Sequence, residues 1–252
     1  QLPVTGTDMT IDWGDGTIET GLTGTQSHTY ATGGTYTIQI GGGLQQITFI
    51  GSTDAQKLME VQQWGTAIAW TSMYGAFAGC TNLSVTAMDA PVLSSVTDMS
   101  YMFYNAGNIT NPNFSAWDTS TVIYMGCMFY NANQFDGNVT TWNTANVTDM
   151  SYMFYCVYGG VFNQAIGGWN TGNVTNMSWM FYNQDLFDQD LPWNTSKVTD
   201  MNTMFCQKSY FNGNIAGWDT SNVTNMYQMF ADIGMLTSNI SGWNTSNVTN
   251  MN

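Results

Sequence analysis

Arginine is absent from this chain of 252 residues and lysine occurs only three times, against 17 acidic residues, for a net charge of −14. A nucleic-acid partner needs cations to neutralise phosphate, so that class is excluded. An anionic membrane surface is disfavoured for the same reason. Long apolar runs are missing as well. No stretch approaches the ~18 uninterrupted apolar residues of a spanning helix, so membrane insertion is not expected. The chain has a single histidine, His28, and no nucleophile motif, so neither a Ser-His-Asp nor a Cys-His site assembles and no enzyme is expected. Carboxylate pairs suited to glycoside hydrolysis are disfavoured too, because the acids alternate with Asn at turn positions: Asp149, Asn176, Asp200 and Asn225 follow one another. The polar surface is left to Asn, Thr, Ser, Gly and Gln, a neutral composition that points outside the cell. Gln1 opens the chain without Met or a signal-like region, which reads as a processed product.

What the chain has in abundance is one phrase, repeated. With each repeat tryptophan at position 0, Trp117, Trp142, Trp169, Trp193, Trp218 and Trp243 stand 25, 27, 24, 25 and 25 residues apart. Position 5 is Val122, Val147, Val174, Val198, Val223 and Val248; position 8 is Met125, Met150, Met177, Met201, Met226 and Met251. Positions 11 and 12 read Met-Phe, giving Phe129, Phe154, Phe181, Phe205 and Phe230. The phase runs back through Val96, Met99, Met102 and Phe103, and further to Met73 and Phe77. A period near 25 predicts a β-rich solenoid whose rungs bury their apolar positions against one another. Short parallel strands, about 4.8 Å apart, are predicted at stretches such as Phe135–Val139, with a corner at Trp-Asn-Thr-Ser. The three- and four-residue spacing of Val-x-x-Met-x-x-Met-Phe predicts short helical turns. Most of the 18 Met residues fall at positions 8 and 11, which makes them core filler rather than a thioether metal site. The tryptophans at position 0 and the phenylalanines at position 12 are the predicted structural core.

The run "YGAFAGCTNLSVTAMDAPVLSSVTDMSYMF" (74–103) resembles the BspA-like leucine-rich-repeat surface proteins, and units such as "WDTSNVTNMYQMF" resemble that family's Trp-Asp-Thr-Ser-x-Val-Thr-x-Met branch. The resemblance implies a leucine-rich-repeat-like, right-handed stack over residues 65–252, about seven rungs with the last incomplete. It also implies display at a cell surface, adhesion or host-factor binding, and no catalytic residues; phage-encoded members open the alternative of a virion appendage. The opening residues, with "IDWGDGT" (11–17) and "SHTYATGGTYTIQI" (27–40), are similar to a PKD-like β-sandwich segment over 1–50, joined through 51–64. Thr35–Ile40 alternates like a strand, and "QQITFI" (45–50) is the candidate joining strand, with the segment capping the first rung. "WNTSNVTNMN" stops mid-phrase, so more chain is expected beyond it.

Among candidate sites, "DLFDQD" holds Asp185, Asp188 and Asp190 within six residues, a weak oxygen-ligand set for Ca²⁺ beside the reading of solvated acidic loops; no other cofactor is expected. Asp12 and Asp15 flank a turn in the same way. Cys80, Cys127, Cys156 and Cys206 fall at mismatched positions along their rungs, so four buried thiols are expected and no bridge. Asn146, Asn173, Asn222 and Asn247 sit in Asn-Val-Thr sequons, either glycan acceptors or turn residues. Thr119, Thr144, Thr171, Thr195, Thr220 and Thr245 form a hydroxyl ladder; corner threonines bonding their own backbone are favoured over a flat ladder like those of ice-binding solenoids. Tyr101, Tyr152 and Trp179 share position 10, and Tyr104, Tyr130, Tyr155 and Tyr182 share position 13. Pointing outward they make a rigid contact ridge; pointing inward they are more core. The function expected is non-enzymatic recognition of a protein or glycan on another surface, from an extracellular, cell-surface or virion position. The alternative is a structural subunit of a filament or virion whose partners are copies of itself.

Overall fold

Phe103, Phe129, Phe154, Phe181, Phe205 and Phe230 lie ring over ring, with successive centroids 5.5–5.8 Å apart. Beside them runs the tryptophan file, Trp117 to Trp243, at 5.9–6.4 Å. The computed structural model describes residues 1–110 and 112–251; Asn252, the end of the predicted last unit, lies outside the described residues. Position 5 valines and position 8 and 11 methionines fill the space around the two files and are buried from Val96 to Met229. In the last units Phe230 and Trp243 are half-buried and Met251 is exposed. Burying each large apolar side chain contributes about 1.5–3 kcal/mol. The indole N–H needs a partner inside such a core. Trp142, Trp169, Trp193, Trp218 and Trp243 each donate Nε1–H to a backbone carbonyl of the preceding unit, at 2.7–3.3 Å.

The backbone that carries this core is not the predicted one. Among the described residues there is no α-helix, and the strands form only two small sheets. The β-rich, leucine-rich-repeat-like right-handed solenoid of short parallel strands and helical turns is therefore overturned. One cause lies in alternate peptides. In a helix every N–H points the same way along the axis. Here the N–H groups at positions 11, 13 and 15 close local turns, as in Met128→Met125 (3.3 Å), Tyr130→Cys127 (3.2 Å) and Ala132→Phe129 (3.0 Å). Those at positions 8, 10, 12 and 14 reach the next unit instead. Met125 donates to Asp149 (3.1 Å), Cys127 to Ser151 (2.8 Å), Phe129 to Met153 (2.9 Å) and Asn131 to Tyr155 (2.7 Å).

Left-handed residues at positions 10 and 14 rotate the peptides into this alternation. Position 10 has φ +59° at Tyr101, +56° at Cys127 and Tyr152, and +61° at Trp179; position 14 has φ +53° at Asn131 and +52° at Asn183. In the first unit both positions are glycine, Gly75 and Gly79, the residue that takes this conformation without steric cost. Parallel pairing is reduced to isolated bridges, chiefly at position 7, where Tyr124, Asp149, Asn176, Asp200, Asn225 and Asn250 pair in succession. The stretches predicted as strands do not extend beyond single bridges, such as Asn113 with Asn138 and Phe211 with Leu236.

True strands occur mainly before the repeats. β1 (Val4–Asp12), β2 (Ile18–Leu22) and β3 (Gln39–Ile47) form an antiparallel sheet in the order β2-β1-β3. β3 begins only at Gln39, so most of the alternating stretch Thr35–Ile40 precedes it. β4 (Glu60–Val61) pairs in parallel with β5 (Ser84–Val85). The chain leaving β3 bonds directly to the first unit, with Phe49 N donating to Gly75 O (3.1 Å) and Thr71 N to Gln45 O (3.0 Å).

Candidate functional site: an aromatic ridge

The turns at positions 8 to 15 set two side-chain series on one surface. At position 13, Tyr104, Tyr130, Tyr155 and Tyr182 stack face to face at 4.6, 4.4 and 4.6 Å, with planes within 18°. At position 10, Tyr152 and Trp179 stack at 5.5 Å. The two series touch through Tyr101–Tyr104 (5.6 Å), Tyr130–Tyr152 (6.2 Å), Tyr155–Trp179 (5.8 Å) and Trp179–Tyr182 (5.2 Å). All seven residues singled out from the sequence thus belong to one contiguous patch, and all are half-buried rather than core. Tyr74 extends it by one ring, 5.6 Å from Tyr101.

Holding a non-glycine residue in the left-handed region costs about 1–2 kcal/mol. Stacking returns about 0.5–1.5 kcal/mol per pair, and the cross-unit hydrogen bonds add to that. The ridge is rigid because each ring is fixed both by its neighbours and by a backbone bonded to the next unit. Four of its phenols hold their protons more tightly than usual: a hydrogen bond to the Cys127 thiol holds Tyr101 up at about 12, and burial pushes Tyr130, Tyr152 and Tyr182 above the ordinary phenol value. Such a surface offers neutral donors and acceptors on rigid apolar plates.

The other candidates fall elsewhere. Among the described residues no group of three or more His, Cys, Asp or Glu side chains is placed to hold a metal ion. Asp185 is exposed, Asp188 accepts from Asn212 Nδ2 (3.0 Å) and Asp190 from Asn214 N (2.7 Å), so these two acids tie neighbouring units together. Asp12 and Asp15 accept from Gly14 N and Thr17 N, and Asp15 also meets His28 Nε2 at 2.8 Å. His28 in turn stacks on Trp13 at 4.8 Å.

The four cysteines are free; three are buried, whereas Cys127 is half-buried within the ridge. The threonine ladder at position 2 is buried from Thr119 to Thr220. Those hydroxyls do not bond their own backbone; each donates to the next unit, as Thr195 does to Asp219 O (2.9 Å). The sequon amides Asn146, Asn173, Asn222 and Asn247 each donate Nδ2–H to the preceding unit at 2.6–2.7 Å.

One group escaped the sequence reading. Lys208, 1% exposed, donates Nζ–H to Phe187 O at 2.8 Å and also to Gln184 O. Its signal was position 15, which carries Ala106 and Ala132 in earlier units.

The repeats match, over residues 71–192 and 156–252, the family described as Mycoplasma protein of unknown function, DUF285, and the chain belongs to that family. No curated protein and no solved structure matches it. Among the described residues no helix is long and apolar enough to cross a membrane.

Proposed function

We propose that this is a non-enzymatic surface protein that recognises a protein or glycan on another surface, displayed outside a cell or on a virion. The observation that carries the reading is the ridge: stacked, half-buried tyrosines and a tryptophan on a rigid frame. Rigid aromatic side chains supply contact area at little entropic cost. Two further features support it: the Arg-free, amide-rich composition, and the resemblance of the repeats to BspA-like surface proteins and of the opening segment to PKD-like domains. The test is adhesion of the purified protein to cell monolayers and to immobilised glycans. Tyr155→Ala with Trp179→Ala, made together, should abolish retention while the thermal transition persists. Retention unchanged by that pair would remove the ridge from the mechanism.

A second reading, a structural subunit that joins copies of itself, draws on a different observation. Leu186, Tyr210 and Met235 share position 17 and are exposed by 50%, 39% and 55%. Light scattering over a dilution series separates the two, since a constant monomer mass supports recognition and growing particles support assembly.

A further inference from the structure

The position-13 stack restricts what the ridge can read. Tyr130 lies between Tyr104 and Tyr155, and Tyr155 between Tyr130 and Tyr182, so both faces of these inner rings are covered. Sugars bind aromatic rings through their C–H groups, which seek the electron-rich face. The inner rings have no face to offer. Tyr104 differs. Tyr130 covers one side, but in the preceding unit position 13 is Ala78, so no ring of the series covers the other.

At that end lies a cleft of about 280 Å³. Tyr104 and Asn105 line it together with Ala78, Ser52, Thr53 and Gln56, where the turn after β3 approaches the first units. Pockets for drug-sized ligands run from about 300 to 1,000 Å³, so this one has room for a single ring. Its polar groups are neutral. Asn105 Oδ1 accepts from Asn131 Nδ2 at 3.1 Å, and Thr53 and Gln56 are exposed at the rim. The nearby charges are paired with each other, Lys57 Nζ lying 2.5 Å from Asp54 Oδ1.

We infer that this cleft is a subsite for one neutral pyranose ring, seated on the open side of Tyr104 and held at its hydroxyls by Ser52, Thr53, Gln56 and Asn105. The inference rests on the recognition reading above, whose ligand class it narrows at one place, but it does not require the ridge itself to touch the sugar. A bare ring platform with a few neutral hydrogen bonds predicts weak, millimolar binding of a monosaccharide.

The experiment is saturation-transfer NMR on the intact protein with methyl glycosides of glucose, galactose, mannose and N-acetylglucosamine. At least one should show transfer with a dissociation constant of about 1–10 mM. Tyr104→Leu should weaken it about tenfold or more, whereas Tyr104→Phe, which keeps the ring, should stay within about threefold. Thr53→Trp, at an exposed rim position that cannot compromise the core, should block the cleft. Tyr155→Leu should leave sugar binding unchanged even though it disrupts the ridge. No transfer from any of the four at about 20 mM, or transfer that survives both Tyr104→Leu and Thr53→Trp, overturns the inference. Loss of cell adhesion in the Tyr155 variant with sugar binding retained would show the two sites acting separately. Failure of sugar binding with adhesion intact would remove the cleft and leave the ridge.

Discussion

Trp169 donates its indole N–H to the carbonyl oxygen of Val139, 3.1 Å away in the preceding unit, and both groups are buried. The same side chain therefore fills the core and gives a second donor to a carbonyl that also accepts from Trp142 N at 3.2 Å. Trp169→Ala removes both and should cost about 3–5 kcal/mol. Trp169→Phe keeps most of the volume and loses one of the carbonyl's two donors, for about 0.5–1.5 kcal/mol. Urea melts of the two variants check the order, and equal, near-zero losses would mean the tryptophan file contributes little.

Gln228 occupies a left-handed position, φ +49°, with an exposed side chain. Gln228→Gly should raise stability by up to about 1 kcal/mol, because the relieved strain of about 1–2 kcal/mol outweighs the extra freedom glycine has when unfolded. Gln228→Ala keeps the Cβ and should gain nothing. A thermal shift in which alanine matches glycine would contradict the backbone described above.

Asn222 donates Nδ2–H to Ser196 O at 2.7 Å, and its counterparts repeat the bond in other units. Asn222→Ala should cost about 1 kcal/mol. Asn222→Asp, which points a carboxylate at that carbonyl, should cost more. Enzymatic attachment of a glycan at this nitrogen should likewise lower the melting temperature, and a glycosylated sample that melts no lower would separate the sequon from its turn role.

Alkaline pH acts on buried groups in opposite directions. Burial holds the Lys208 ammonium down at about 8 from 10.5, with Asp185 and Asp188 opposing. Its folded pKa is depressed, so from pH 8 to above 10 the unfolded chain keeps a proton the folded chain has released. Stability from Lys208 therefore rises with pH across that window, by roughly 3 kcal/mol. The Cys80 and Cys156 thiols are pushed up from 9.0 to about 12 by burial. Their folded pKa values are raised, so their contribution is complete below pH 9 and is lost as pH climbs towards 12. Denaturant melts from pH 7 to 11 should show Lys208→Met lacking the rise, and Cys80→Ala with Cys156→Ala lacking much of the fall. Parallel curves for parent and Lys208→Met would mean the amine is not confined as described.

The contrast between side-chain and backbone legibility is instructive. Trp142, Val147, Met150 and Phe154 are buried as their spacing predicts, because burial depends on apolar character recurring once per unit. Position 10 shows the limit. Tyr152 carries no mark of φ +56°, and the apolar spacing around it fits a helix equally well. Gly75 and Gly79 were the available signal, since glycine at both positions of one unit foretells left-handed residues in the others. The seven ridge residues were identifiable as stripes, but whether they faced solvent depended on those same dihedrals. The cleft at Tyr104 had no sequence signature at all. It joins residues 49–53, 55–56, 78–79 and 104–105, which only the fold brings together.

Each unit hands backbone and threonine donors forward and receives tryptophan and asparagine donors from the unit that follows it. A tether pulling on the ends would load these bonds one boundary at a time rather than all at once. Under tension the protein should lengthen in steps of about 25 residues, close to 90 Å of chain per step, while the units still folded keep their rings stacked. A protein built this way yields gradually under shear and keeps its remaining aromatic ridge while doing so.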